Sequence, residues 1–324
     1  MTRFAWLLLA GSTIQAASAS VPLASRDDAC RMISGRLASV ELSDCQQAEL
    51  GLAEAGSPLG LPILVGDYPP RQTRGERPRR VLLVGGIHGD ELSSVSVVFR
   101  WIRRLQADRY RNIHWRVIPS LNPDGLLRRP SSRTNSRGVD LNRNFPALPE
   151  QPSPIAYWVK RTRKDPRRFP GPEPLSEPES AWLAAEIERF APDAMVQVHA
   201  PYGVLDYDGP PEPPSRMGYL HLKLLGAYPG SLGNYMGIGQ GHPTITLELP
   251  HAGIMPTAQQ QLRIWADLTR WIDENVSPRP EPPLYLQLAN NPWAAPYTTG
   301  REPAGGGYAA LRRCLLYTSP SPRD

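Results

Sequence analysis

The strongest pattern in the chain is a set of short apolar runs that end in glycine or in a polar residue. Val81-Leu82-Leu83-Val84 is continuously hydrophobic and stops at Gly85-Gly86, as expected of a strand buried on both faces. Ile113 to Ile118, Met195 to His199 and Thr244 to Leu249 also read as strands. Between these runs the period lengthens. Leu92 to Leu105 has helical spacing, and Gln259 to Asn275 offers Leu262, Trp265, Ala266, Leu268, Thr269 and Ile272 to one broad face. Ser176 and Glu179 have the spacing of a capping box, with proline tolerated in the first turn, so a helix is expected over Glu179 to Phe190. Residues 38–56 show helical character, while residues 149–178, rich in proline and arginine, read as a surface excursion. Strand, loop and helix in succession predict an α/β sheet whose chemistry sits on the loops after strand ends.

Composition narrows the classes. The 324 residues are 40% hydrophobic with a net charge of +5, too apolar and too weakly charged for a disordered chain. Nearly all the basic residues are arginine, with only Lys160, Lys164 and Lys223 as exceptions. The arginines are scattered and offset by acids, so no nucleic-acid partner is expected. The one strongly apolar run lies at the N-terminus and is short for a membrane span. Met1 to Ala19 instead reads as a secretory signal: Arg3, an apolar Phe4–Ala10 stretch, and a small-residue cleavage site at Ala17-Ser18-Ala19. The protein is therefore expected to be exported, periplasmic or secreted, without stable membrane insertion after cleavage. In such a compartment Cys30 and Cys45 are able to pair, whereas Cys314 lies in an atypical tail. That tail, residues 314–324, reads as translated adaptor sequence and not native protein, and residues 277–313 form a Pro/Gly-rich segment.

Six histidines are available for chemistry. His88 follows the buried-looking strand, and Glu91 comes three residues later at the mouth of a helix. Catalytic zinc needs three such ligands and an open position, and His199, at a strand end, is the best third candidate. Glu248 alone interrupts an apolar strand, and a buried glutamate is costly unless it is paired or used. His114, His221, His242 and His251 read as structural or surface residues, and Asp90 and Asp124 as turn acids bonded to local backbone.

Six ordered segments complete the picture. These are Gly86-Ile87-His88-Gly89-Asp90-Glu91, Asn122–Gly125, Gly138–Phe145, Val198-His199-Ala200-Pro201, Pro229-Gly230-Ser231-Leu232-Gly233 and Thr246-Leu247-Glu248-Leu249-Pro250. In these segments the chain resembles the zinc carboxypeptidase family and, within it, the murein peptide amidase branch. The resemblance implies a mixed, twisted central sheet flanked by helices, in a catalytic domain over residues 20–276. It implies one zinc ion per chain, held by His88, Glu91 and His199, with Asp140 orienting the first histidine. Glu248 resembles the general base, and Arg133 the arginine that steadies the developing oxyanion. Asn142 and Arg143 resemble the clamp for the substrate's free carboxylate. Tyr228 stands near the place of the family's mobile tyrosine but out of register, and Tyr235 is a second candidate.

The activity implied is hydrolysis of an amide bond in a small carboxylate-bearing peptide, with the D-glutamyl–diaminopimelate bond of cell-wall peptides favoured. Removal of C-terminal amino acids from ordinary peptides is the alternative. Deacylation of N-acyl amino acids, as in the related desuccinylase and aspartoacylase branch, is disfavoured by the intact Gly138–Phe145 and Gly230-Ser231 elements. A catalytically inactive peptide-binding module would have lost a ligand or Glu248, and all four residues are present.

Overall fold

The computed structural model describes residues 24–71, 77–109 and 111–279. The expected signal (1–19), the Pro/Gly-rich segment from 280 onward and the tail 314–324 lie outside the described residues. In chain order the elements begin with α1 (Arg26–Arg36), α2 (Leu42–Gln46), β1 (Leu50–Gly56), β2 (Pro62–Tyr68), β3 (Arg80–Gly85) and α3 (Leu92–Ala107). Then come β4 (His114–Ile118), α4 (Pro123–Leu127), α5 (Pro154–Arg161), α6 (Pro178–Phe190), β5 (Ala194–His199) and β6 (Leu205–Asp208). A two-residue hairpin, β7 (Arg216–Met217) and β8 (Leu220–His221), precedes β9 (Thr244–Glu248) and α7 (Ala258–Asn275).

Seven strands form one mixed sheet in the order β1-β2-β4-β3-β5-β9-β6. The central four, β4, β3, β5 and β9, are parallel, and β2 and β6 join them antiparallel. This is the expected α/β architecture, and the strand alternation explains its two layers. Val81 and Leu83 of β3 face the core shared with Val95, Phe99 and Ile102 of α3 and with Ile264, Leu268 and Ile272 of α7. Leu82 and Val84 face the opposite core, built with Leu183, Ile187 and Phe190 of α6. A strand with helices on both faces has no solvent side, which is why β3 reads as an unbroken apolar run. Among the described residues no helix is long and apolar enough to cross a membrane.

Two local expectations are corrected. In residues 38–56 only α2 is helical, and Leu50–Gly56 is strand β1. The Ser57–Leu61 turn reverses the chain, with Gly60 N–H donating to Ser57 O and Ser57 N–H to Leu61 O, both at 2.8 Å. β1 then pairs antiparallel with β2, and the ladder outweighs a weak helical propensity. The Cys30–Cys45 disulfide, with Cα atoms 5.4 Å apart, joins α1 to α2.

The second correction concerns the start of α6. Glu177, not Ser176, is its N-cap, and no side chain caps it. Ser176 Oγ instead donates to Glu177 Oε1 and accepts from Asn144 Nδ2, while Glu179 is buried beside Asn135. Tertiary partners took both side chains away from the local motif.

Candidate functional site

The parallel strands end on one edge, and their C-terminal ends supply the site. β5 and β9 are in register so that His199 lies beside Glu248. β3 ends at Gly85, and Gly86 turns the chain with φ +56°, a conformation glycine adopts without steric cost. The chain then passes His88 and enters α3 with Glu91 as the N-cap residue. Ser94 Oγ fastens this turn, donating to Glu91 O at 2.7 Å and accepting from Gly86 N at 3.2 Å.

Close backbone packing holds the His88 loop in place. A Cβ on Gly89 would stand 2.2 Å from the carbonyl carbon of Gly125. Asn122 ties three segments together: its Oδ1 accepts from Gly125 N at 2.8 Å, and its Nδ2 donates to Arg133 O at 3.0 Å and Ile87 O at 3.4 Å.

His88, Glu91 and His199 converge, and all three are buried. Their facing atoms are His88 Nδ1 and Glu91 Oε1 at 2.7 Å, His199 Nδ1 and Glu91 Oε2 at 3.0 Å, and the two Nδ1 atoms at 3.2 Å. Tetrahedral ligands about 2.0–2.1 Å from zinc stand roughly 3.3–3.4 Å apart, so the donor set fits that ion with modest adjustment. Two imidazoles and a carboxylate also leave a fourth position open, as catalytic zinc sites do. The remote nitrogen of His88, Nε2, lies 3.2 Å from Asp140 Oδ1, the carboxylate–histidine arrangement that orients metal-binding imidazoles.

The charges are strongly coupled. Burial alone would raise the Glu91 carboxyl, but His88 and His199 outweigh it and hold it well below the usual range. Asp140 behaves likewise: burial is outweighed by Arg133 and His88. Burial would lower His199, yet Glu91 raises it. Glu248 is pushed up, by burial first and with Glu91 adding to it, against the opposing His199.

All the candidate residues except Asp140 and Tyr235 line one cavity of about 490 Å³: His88, Glu91, His199, Glu248, Arg133, Asn142, Arg143 and Tyr228. Arg133 Nε donates to Asp140 Oδ2 at 2.9 Å, and its Nη1 stands 3.2 Å from His88 Nδ1. Asn142 Oδ1 accepts from Leu232 N at 2.8 Å, and the residue lines the cavity. Arg143 is buried, donates to Asn142 O at 2.5 Å, and lies over the Tyr228 ring at 4.6 Å. Tyr228 is thus at the site despite its shifted register, whereas Tyr235 stacks on Phe145 at 5.5 Å.

The remaining candidates fall outside the cluster. His114 pairs with Asp67 at 2.8 Å, and His242 accepts from Arg279 at 2.8 Å with burial pushing its pKa down to about 4. His221 and His251 are exposed. The two motif acids are not bonded to local backbone as expected. Asp124 is buried between the hydroxyls of Ser57 and Ser136, and Asp90 pairs with Arg167 at 2.8 Å at the cavity rim. The sequence reading also missed Gln197, Asp206, Asp208 and Thr246, which line the same cavity. Gln197 and Thr246 interrupt apolar strands as Glu248 does, and that signal was there to be used.

Residues 50–212 match the family model described as zinc carboxypeptidase. Murein peptide amidase A of Escherichia coli (strain K12) is 32% identical over 197 residues, covering 59% of this chain and 79% of that protein. Murein peptide amidase A of Vibrio campbellii is 31% identical over 213 residues, covering 64% of this chain and 82% of that protein. Among solved structures, bovine thrombin-activatable fibrinolysis inhibitor in complex with tick carboxypeptidase inhibitor matches with a TM-score of 0.56. Its identity is 17%, over 78% of this chain and 98% of that one. That likeness concerns the fold alone.

Proposed function

The chain belongs to the zinc carboxypeptidase family and is a metallopeptidase-type hydrolase, and from that premise we propose that it cleaves the D-glutamyl–diaminopimelate bond of murein peptides with one zinc ion per chain. The observation that supports this most is the convergence in one cavity of His88, Glu91 and His199 with Glu248, Arg133 and Arg143. The choice of murein peptide draws on the similarity to the murein peptide amidases.

His88, Glu91 and His199 would hold the zinc ion, which when bound would supply Lewis acidity toward a water and the scissile carbonyl. Glu248, made more basic by burial, takes a proton from the attacking water and passes it to the leaving amine as the amide C–N bond breaks. Arg133, oriented by Asp140, stabilises the negative charge that develops on the carbonyl oxygen. Arg143 and Asn142 hold the free carboxylate of the residue beyond the scissile bond, with Tyr228 packed on the guanidinium. The same reading has the protein exported to the periplasm or beyond. The Cys30–Cys45 disulfide supports it, since such bonds persist in oxidising compartments.

The test is hydrolysis of L-Ala-γ-D-Glu-meso-diaminopimelate against blocked dipeptides ending in ordinary L-amino acids, with products followed by mass. The tripeptide should be the better substrate and release diaminopimelate. Zinc content should be about one per chain in wild type and in His242→Ala, and be lost in His199→Ala. Cleavage of the blocked dipeptides with the tripeptide left intact would identify a general carboxypeptidase instead.

A further inference from the structure

Arg133 and Asp140 meet because the loop between them folds back, and one buried side chain closes that loop. Asn135, 1% exposed, bonds through every polar atom it has. Its N–H donates to Val139 O and its carbonyl accepts from Gly138 N, both at 3.0 Å. Its Oδ1 accepts from Arg137 N and Val139 N, both at 3.1 Å. The chain is thereby turned so that Arg133 Nε reaches Asp140 Oδ2 at 2.9 Å. With Oδ1 committed to the loop's own backbone, Nδ2 points away from it and donates to Glu177 Oε2 at 2.8 Å. Glu179, in the first turn of α6, lies 3.4 Å from the same Nδ2.

Glu177 is 2% exposed and Glu179 is fully buried, and the reaction as derived gives neither a task. Burying two carboxyl groups is costly. Arg137 stands 3.7 Å from Glu177 Oε2 with more than half of its own side chain in solvent, so water screens that pair. Apolar side chains would pack the first turn of α6 at lower cost, but they offer no acceptor at a fixed point. Glu177 does, because α6 is seated in the core by Trp182, Leu183, Ile187 and Phe190. Its own N–H also donates to Asn144 Oδ1 at 3.1 Å. The Arg133 loop has less to hold it, since its tip, Ser136 and Arg137, is exposed. Asn122 Nδ2 holds one end through Arg133 O at 3.0 Å, and Asp124 Oδ2 accepts from Ser136 N at 3.3 Å.

We propose that Glu177 is a positioning residue for the hydrolysis: through Asn135 it braces the Arg133–Asp140 loop against α6 and so aims the Arg133 guanidinium at the developing oxyanion. Glu179 backs the same amide. This rests on the reading that Arg133 stabilises that oxyanion. A donor moved off its aim loses its hold on the transition state while ground-state binding changes little. Asp140 is pinned separately, its N–H donating to Phe169 O at 2.8 Å, so the metal ligands should not follow the loop.

A double-mutant cycle reads the coupling. Zinc-loaded wild type, Glu177→Ala, Arg133→Ala and the double variant are assayed on L-Ala-γ-D-Glu-meso-diaminopimelate, or on the blocked dipeptides where only those are cleaved. Glu177→Ala should lower kcat about 10-fold with KM and zinc content unchanged. Glu177→Gln, which keeps an acceptor oxygen, should restore most of the loss. In the Arg133→Ala background, Glu177→Ala should change kcat by less than about twofold. Equal losses in both backgrounds would mean general loosening and overturn the proposal. Nuclear magnetic resonance of the isotope-labelled, zinc-loaded protein tests the brace without turnover. The Arg133 Nε–H, identified by its loss in Arg133→Lys, should exchange with water about 10-fold faster in Glu177→Ala. The Arg111 Nε–H, which donates to Pro69 O at 2.9 Å outside the cavity, should not change. Unaltered exchange at Arg133 would overturn the brace. Faster exchange in a protein that cleaves neither substrate keeps the brace and removes the proposed reaction. Cleavage of the tripeptide with Arg133 exchange unmoved does the reverse.

Discussion

At the scale of single residues, the site works by placing groups whose charges would be costly anywhere else in the interior. Glu91 and Asp140 stay ionised although buried, because His88, His199 and Arg133 surround them. At Glu248 the same two histidines act, but they do not outweigh burial. Burial lifts its carboxyl, the direction that makes a carboxylate a better proton acceptor near neutral pH. Glu248→Gln preserves shape and removes the base, so turnover should fall by at least ~10²-fold while zinc content stays at the wild-type level. Steady-state kinetics with metal analysis on the same samples checks both halves. Near wild-type turnover would show that another group accepts the proton.

At the scale of elements, the loops that carry the functional side chains are braced by backbone packing as much as by hydrogen bonds. The His88 loop lies on the Asn122–Gly125 turn with Gly89 against Gly125, and Gly125 lies in turn against Ser132 O, where a Cβ would stand 2.4 Å away. Two turns from one stretch of chain and the distant His88 loop are stacked at a separation that leaves no room for a methyl group. Gly89→Ala should therefore cost about 1–3 kcal/mol, the usual range for overpacking. Because His88 is the adjacent residue, zinc affinity should weaken as well. Thermal melts of the metal-free protein and zinc titration of the folded variant measure the two effects. A variant with unchanged melting and affinity would mean that the loop relaxes freely and the stacking does not brace the site.

At the scale of the whole molecule, an acidic cluster beneath the Arg133 loop couples stability to pH. Glu179 is fully buried, and its carboxyl is pushed up to about 8 by burial, with Asp124 and Glu177 adding to it and Asn135 opposing. The folded state thus keeps a proton that the unfolded chain releases near the ordinary value of 4.5. Stability from this group is complete below about 4.5 and declines as pH rises through that window to about 8. The decline is on the order of 1 kcal/mol per pH unit. Glu179→Gln removes the titration, so unfolding free energy should depend less steeply on pH between 4.5 and 8 than in the wild type. Urea melts across that window measure it, and identical slopes would show that Glu179 is ionised in the folded protein.

What the sequence determined by itself was whatever depends on neighbours along the chain. β3, β5, β9, α3 and α7 follow from local periodicity, and the spacing of His88 and Glu91 is closed within one turn at the mouth of α3. Glu248 was visible because one charged residue in an apolar strand is costly without a use. The tertiary structure decided what depends on register between distant segments. β1 became a strand by pairing with β2, and α6 lost its capping box to Asn144 and Asn135. Tyr228 reached the site by stacking on Arg143. The row Gln197, Thr246 and Asp206 exists only because β9 lies between β5 and β6. Strand order and register are set by burying opposite faces against opposite helices. From sequence only the β5 and β9 segments read as strands, each with an unexplained polar residue, and only the assembled sheet adds β6 and makes the three neighbours.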